Sequence, residues 1–104
     1  MMTKYNVEID NKIVVFNMKR IVNQIYKLLP SREEGLDWET PLYTIIEELS
    51  GMSRLLVDQQ NLYFPLLCKL EGLFVLINEE DFFQYRRTIF ECLSLANNIM
   101  KSCQ

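Results

Sequence analysis

Histidine is absent from this sequence of 104 residues, and its absence excludes a wide range of chemistry. Zinc sites of the usual Cys/His types, Ser-His and Cys-His nucleophile pairs and histidine general bases all require it. Helical di-iron sites are excluded as well, because they need Glu-x-x-His motifs. We therefore expect no metal site, no cofactor and no histidine-dependent catalysis.

Cysteine is scarce, and long apolar runs are missing. Cys68, Cys92 and Cys103 are an odd number without C-x-x-C spacing, and the first two lie in apolar runs where a free cysteine acts as a small hydrophobe. The longest apolar segment, 62–77, contains two charges and is shorter than the ~20 residues that a membrane span needs. The first residues lack the apolar core of a secretory signal. We expect a cytoplasmic protein without a membrane segment.

The charges are unevenly distributed along the chain. Residues 1–30 carry five Lys/Arg and two acids, residues 31–81 carry three and eleven, and residues 82–104 carry three and one. An acidic middle section is poorly suited to broad phosphate binding, so nucleic acid is an unfavoured partner. It suits a basic protein partner, or neutralisation within the fold.

Apolar periodicity predicts a mainly α fold. Residues 1–104 are expected to form one domain, an antiparallel four-helix bundle. Pro30 is expected to end the first helix, Thr40 to cap the second and Pro65 to start the third. Gly51 and Gly72 lie within helical patterns, where we expect close approach of two helix backbones. The predicted helices cover residues 18–29, 41–57, 65–77 and 80–101.

The segment 4–16 is predicted to form a short β-hairpin that turns at Asp10 and Asn11. Both of its arms are rich in β-branched or aromatic residues. An alternative remains open, because a helical stripe from the first helix continues backwards through Met18 to Val14.

The joint at residues 30–41 concentrates the unusual residues of the chain, among them the only tryptophan. It has two interpretations. In one it is a structural connector in which Ser31 and Glu34 form a capping box and Trp38 closes over the edge of the core. In the other it is a recognition loop, since loops that carry aromatic and charged residues on a rigid scaffold often bind partners. The predicted contact set is Arg32, Glu33, Glu34, Asp37 and Trp38.

Arg86 occupies a predicted seam position in the last helix, where residues 82, 86, 89, 93, 96 and 100 follow helical spacing. A buried guanidinium would pair with a carboxylate such as Glu71 or Glu48. With Arg87 it would instead form an anion or nucleic-acid contact, to which the first helix adds Lys19, Arg20 and Lys27.

Carboxylates at i, i+3 spacing on adjacent helices hold magnesium in all-α nucleotide pyrophosphohydrolases. Here Glu34 and Asp37 have that spacing, whereas Glu47 and Glu48 on the next helix lack a second carboxylate three residues further on. A magnesium-dependent nucleotide hydrolase that uses these four residues is therefore the alternative function.

The leading hypothesis is a non-enzymatic protein-interaction module: an adaptor, inhibitor or assembly factor that presents an acidic surface and the Trp38 loop. A homo-oligomer is expected to form through apolar residues outside the seam of the last helix, namely Tyr85, Cys92 and Ile99. In size and composition the chain resembles the small acidic proteins of phages and mobile elements of AT-rich bacteria.

Overall fold

The computed structural model describes residues 10–56, 60–76 and 79–102. Within these ranges the chain folds into four α-helices that pack against each other, so the mainly α prediction is confirmed. Each helix packs mainly against two others, in the cyclic order α1–α2–α3–α4. Short 3₁₀ turns at Leu73–Val75 and Glu79–Asp81 lie between the last two helices in the chain. The helices are α1 (Asn11–Glu33), α2 (Glu39–Leu55), α3 (Gln60–Gly72) and α4 (Phe82–Ser102).

One cluster of contacts defines the helix directions. Arg32 at the end of α1 and Trp38 just before α2 contact each other, and Trp38 also contacts Phe74, just after α3. Tyr85 at the start of α4 packs against the same tryptophan. Because α1 and α3 end where α2 and α4 begin, consecutive helices run in opposite directions.

The core is built from one apolar stripe of each helix. A fully buried Leu, Ile or Met side chain contributes roughly 1.5–3 kcal/mol, so these stripes are the main stabilising feature of the bundle. Residues with at most 1 % exposure come from every helix. Among them are Met18, Ile21, Ile25, Leu28, Leu42, Ile45, Leu49, Tyr63, Leu66, Leu70, Tyr85, Ile89, Cys92, Ala96 and Ile99.

Residues 11–16 are helical, so the hairpin prediction is wrong for its turn and second arm. The Asp10 carboxylate caps α1 by accepting a hydrogen bond from the backbone N–H of Lys12 at 2.9 Å. Val14 joins Met18 in the buried stripe, whereas Phe16 is 69 % exposed. The helical alternative is confirmed, because it extends the core by a further turn while an isolated hairpin is marginal in water. The predicted first arm, 4–9, lies outside the described residues.

Two prolines lie inside helices, which contradicts the predicted boundaries. α1 continues through Pro30 to Glu33, and α3 begins at Gln60, five residues before Pro65. A proline near a helix end removes one backbone hydrogen bond, and burial of Tyr63 upstream of Pro65 offsets that loss. Gln60 therefore belongs to α3, although it lies outside the predicted helix range 65–77.

The start of α2 depends on Asp37 and not on Thr40. The Asp37 carboxylate accepts hydrogen bonds from the backbone N–H groups of Glu39 at 3.1 Å and Thr40 at 3.2 Å. An N-terminal carboxylate satisfies two otherwise unpaired donors. Ser31 lies within α1, so the predicted capping box of Ser31 and Glu34 is also wrong.

The buried face of α4 is rotated relative to the predicted seam. It contains Tyr85, Cys92 and Ile99, the residues that were expected to lie outside the seam and to support self-association. Arg86 is exposed instead, one position from the buried Tyr85. Near the start of α4, the outward face carries Phe83, which is 78 % exposed.

Gly51 and Gly72 do not mark a close approach of helices. Apart from its two chain neighbours and the backbone of its own helix, a methyl group built on either glycine meets no atom of the described part of the chain within 4 Å. α2 continues through Gly51 to Leu55, as the unbroken stripe predicts, and Gly72 is the last residue of α3. The packing explanation for these glycines is therefore wrong.

The two cysteines of the described ranges have different surroundings. Cys92 is a buried core residue, as predicted, and burial raises the pKa of its thiol to about 12. Cys68 is exposed, contrary to the prediction, because it lies on the outward side of α3.

Candidate functional site

The joint presents its acidic residues to solvent. Glu33, Glu34 and Asp37, three of the five predicted contact residues, are exposed. The backbone N–H of Glu34 donates to the Pro30 carbonyl at 3.0 Å, which closes the last turn of α1. Gly35 then reverses the chain with a φ of 72°, a left-handed conformation that favours glycine. The three carboxylates lie on both sides of this turn.

The pKa of Asp37 is lowered by hydrogen bonds to its charged form. The side chain of Thr40 has the largest effect, followed by the backbone N–H groups of Thr40 and Glu39. The ionised carboxylate also interacts favourably with the N-terminal dipole of α2. Asp37 therefore has a structural role in addition to any role in binding.

Arg32 and Trp38, the other two predicted contact residues, belong to an aromatic cluster. The guanidinium carbon of Arg32 lies 4.2 Å from the ring centroid of Tyr85, 5.4 Å from that of Trp38 and 5.7 Å from that of Phe82. Trp38 is half-buried and meets Tyr85 edge-to-face at 5.3 Å between centroids. These contacts attach the joint to α4 and partly cover the side chains of Arg32 and Trp38.

Tyr85 at the centre of this cluster is fully buried. Burial raises the pKa of its hydroxyl to about 12, and the positive charge of Arg32 partly offsets that effect. The phenol therefore stays neutral throughout the physiological range.

Arg86 does not form the buried ion pair expected of it. Its guanidinium is exposed and lies 5.8 Å from the ring centroid of Phe90. Glu48, one of its predicted partners, pairs with Arg20 across α1 and α2 at 3.1 Å. Arg86 belongs to the outer surface of the bundle.

That outer surface contains a groove of about 660 Å³, here named the α4 groove. Phe83 and Phe90 are its exposed aromatic residues, at 78 % and 49 % exposure. Its charged side chains are three cations and one carboxylate, so it is basic as well as apolar. The groove is lined by Lys69, Phe83, Arg86, Arg87, Phe90, Glu91, Ser94 and Leu95.

Glu91 links the two sides of the α4 groove. Its carboxylate pairs with Lys69 of α3, and its other oxygen lies 3.4 Å from Nε of Arg87. The hydrogen bond from Lys69 is the main cause of the lowered pKa of Glu91, with a smaller contribution from Arg87. The Glu91 carboxylate thus pairs with two of the three cations of the groove, Lys69 and Arg87.

A surface of opposite charge lies on α2. Glu39, Tyr43 and Glu47 follow one another at intervals of four residues and are all exposed, so they form a line along the outside of the helix. We name these three residues the acidic row. The segment 33–53, which contains the row and the exposed carboxylates of the joint, has six acids and no Lys or Arg.

The fold brings the two basic regions of the sequence together. α1 and α4 are neighbours in the bundle and together carry eight Lys/Arg and two acids. α2 lies diagonally opposite α4, because both helices pack between α1 and α3. Among the described residues, the side formed by α1 and α4 is therefore basic and the outside of α2 is acidic.

The four carboxylates of the hydrolase alternative are not brought to one point. Asp37 precedes α2, and Glu47 lies ten residues further along, roughly 15 Å away along the helix axis. Glu48 is engaged by Arg20, and Glu34 lies beyond the end of α1. Among the residues that the structure describes, no group of three or more Asp, Glu or Cys side chains is arranged to hold a metal ion.

Sequence reasoning missed the α4 groove, although a signal for it was present. Phe83, Arg87, Phe90 and Ser94 recur at spacings of four, three and four, which is itself a helical stripe. The α4 sequence thus contains two stripes that both include aromatic residues. Packing against α1 and α3 buries the more apolar stripe and leaves this one, with Arg87 and Ser94, at the surface.

Comparison with protein-family models, curated proteins and solved structures finds no match to this chain. None of the helices in ranges 10–56, 60–76 and 79–102 combines the length and apolarity needed to cross a membrane.

Proposed function

We propose that this protein is a non-enzymatic protein-interaction module, an adaptor, inhibitor or assembly factor that uses two oppositely charged faces. The observation that carries the proposal is the α4 groove, where Phe83 and Phe90 remain exposed beside three cations. Aromatic residues and arginine are the side chains most often found at the energetic centre of protein interfaces.

The chemistry of the α4 groove selects an acidic partner segment that also carries apolar side chains. Its apolar side chains would cover Phe83 and Phe90, and its carboxylates would pair with Arg86 and Arg87. Arginine pairs with carboxylates through two parallel hydrogen bonds, which adds specificity to the charge attraction.

The joint at residues 30–41, which contains Trp38, supplies the second face, for a basic partner. Glu33, Glu34 and Asp37 are its exposed contact residues. Arg32 and Trp38 support the loop through the aromatic cluster, and in the sequence each adjoins one of the carboxylates. An adaptor needs two such separate surfaces.

The test is capture of partners from a lysate of the source organism, with identification by mass spectrometry. The groove variant is Phe83→Ser with Phe90→Ser, and its matched control is Ile13→Ser with Phe16→Ser, which removes exposed apolar side chains from α1. We expect at least one protein to be captured by the wild type and the control but lost with the groove variant. Equal capture by all three would contradict the role of the groove.

A joint variant tests the second face in the same assay. Glu33→Gln, Glu34→Gln and Asp37→Asn remove three charges, while the amide introduced by Asp37→Asn keeps an oxygen that can cap α2. Loss of a different set of captured proteins would support two separate faces. If the wild type captures no protein specifically, the interaction proposal is wrong.

Nucleic-acid binding is the second candidate, favoured by the proximity of α1 and α4. Lys19 and Lys27 are exposed on α1, and Arg86 is exposed on α4. Binding of a labelled oligonucleotide should weaken steeply with salt and in Lys19→Glu with Lys27→Glu, since each phosphate contact releases counterions. Affinity that does not depend on salt would exclude this candidate.

A further inference from the structure

We infer that the α4 groove binds the acidic row of a second copy of this chain, so that copies associate head to tail. The inference rests on the proposed function, because it assigns an occupant to the same groove. Both surfaces belong to the described residues, and both are exposed.

The two surfaces match in length. Phe83 and Phe90 are seven residues apart in α4, which corresponds to roughly 10 Å along the axis. Glu39 and Glu47 are eight residues apart in α2, or roughly 12 Å. Tyr43 lies halfway between the two carboxylates and is 58 % exposed.

The two surfaces also match in chemistry. The acidic row places one aromatic ring between two carboxylates, and the α4 groove places two arginines, Arg86 and Arg87, between two aromatic rings. With the two surfaces in register, the Tyr43 ring would lie over the guanidinium groups of Arg86 and Arg87, whose long side chains would also reach the carboxylates on either side. Cation–π contacts and charge-assisted hydrogen bonds both favour this arrangement.

The position of the two surfaces determines the kind of assembly. α2 and α4 lie diagonally across the bundle, so their outer faces point in opposite directions. A copy cannot bind its own acidic row, and the contact uses different patches on the two partners. Such a heterologous contact does not close in a dimer but continues to a third copy, giving a ring or an open chain.

Segregation of charge allows an acidic protein to associate with itself. The net charge of −3 would cause mutual repulsion if it were spread evenly. Here five acids without a cation lie in 34–53, and α1 with α4 hold eight cations and two acids. The basic side of one copy therefore attracts the acidic side of the next.

The experiment is sedimentation velocity of the purified full chain from about 10 µM to about 1 mM, the range in which weak contacts become occupied. We expect the sedimentation coefficient of the wild type to rise with concentration. The rise should diminish at about 1 M salt, where the Debye length falls to roughly 3 Å.

Charge-reversal variants test the assigned surfaces. Arg86→Glu with Arg87→Glu (the groove reversal) and Glu39→Lys with Glu47→Lys (the row reversal) should each weaken self-association roughly tenfold or more. An equimolar mixture of the two should associate again, because the basic groove of one variant meets the acidic row of the other. That recovery also shows that both variants are folded. Lys19→Glu with Lys27→Glu changes the net charge as much as the groove reversal but lies outside the groove, so it should weaken self-association less than the groove reversal does.

Three results would overturn the inference. They are a wild type that stays monomeric throughout, a row reversal that associates like the wild type, and a mixture that does not recover. If the wild type is monomeric and lysate capture still depends on Phe83 and Phe90, the inference fails while the proposed function stands. If capture fails as well, both fail.

Discussion

Replacing Arg32 by glutamine should destabilise the bundle by loosening the joint from α4. A cation near an aromatic ring contributes about 0.5–1 kcal/mol at exposed sites and about 2 kcal/mol when desolvated. Arg32 is half-buried, 4.2 Å from the Tyr85 centroid and more than 5 Å from the other two rings. We therefore expect a loss of about 1–2 kcal/mol in the free energy of unfolding. For a domain of this size, that loss lowers the Tm by roughly 4–16 °C.

Urea denaturation followed by circular dichroism and by fluorescence measures this effect. Trp38 is the only tryptophan, so its emission reports directly on the joint. Lys27→Gln is the matched control, because Lys27 is an exposed cation of the same helix, and it should change the free energy by less than about 0.5 kcal/mol. If Arg32→Gln is as stable as this control, the aromatic cluster is not held by the charge and the reasoning is refuted.

Three further predictions concern stability and reactivity. Because the folded state lowers the pKa of Glu91, the ionised Glu91 side chain stabilises the fold above the ordinary pKa of 4.5, and this stabilisation is lost as the pH falls through the folded pKa. In Glu91→Gln, the free energy of unfolding measured with urea should therefore depend less on acid pH than in the wild type. An unchanged pH profile would contradict the role of the Lys69 pair. Gly72→Ala should be neutral or stabilise the fold by up to about 1 kcal/mol, whereas Gly35→Ala, at a φ of 72°, should destabilise it by about 1–2 kcal/mol. Equal melting temperatures of the two variants would show that the left-handed φ of Gly35 does not require glycine. In a chain where Cys92 is the sole cysteine, thiol labelling at pH 8 should be slow when native and fast in urea, and rapid native labelling would contradict its burial.

The helix content could be predicted from the sequence because long apolar stripes at helical spacing specify helices regardless of their neighbours. The stripe of α2 through Gly51 and the stripe of α1 back to Val14 both survive in the fold. The boundaries were less predictable. Pro30 and Pro65 are breakers by local rules, yet both lie inside helices: Arg32, beyond Pro30, contacts Tyr85, and Tyr63, before Pro65, is buried in the core.

The candidate site could be predicted only in part. The exposed carboxylates of the joint follow from local sequence, since charged residues around a turn remain in water. That Trp38 closes over the edge of the core was one of the two interpretations of the joint, but its contact with Tyr85 and the inward position of Arg32 do not follow from local sequence, because Tyr85 is distant in the chain. The α4 groove was missed because its two aromatic residues alternate with Arg87 and Ser94, so this stripe is not a continuous apolar one.

By itself the sequence determined the chemistry that is excluded, the α class and the uneven distribution of charge, because these are properties of composition and of local spacing. Only the tertiary structure decided which side of α4 is buried, where Arg86 lies, and that the two basic ends of the chain lie together as α1 and α4, opposite the acidic α2. The physical reason is that a helix with apolar residues on two sides can bury either one. The choice is made by the total area that four helices bury together, which no single segment can specify.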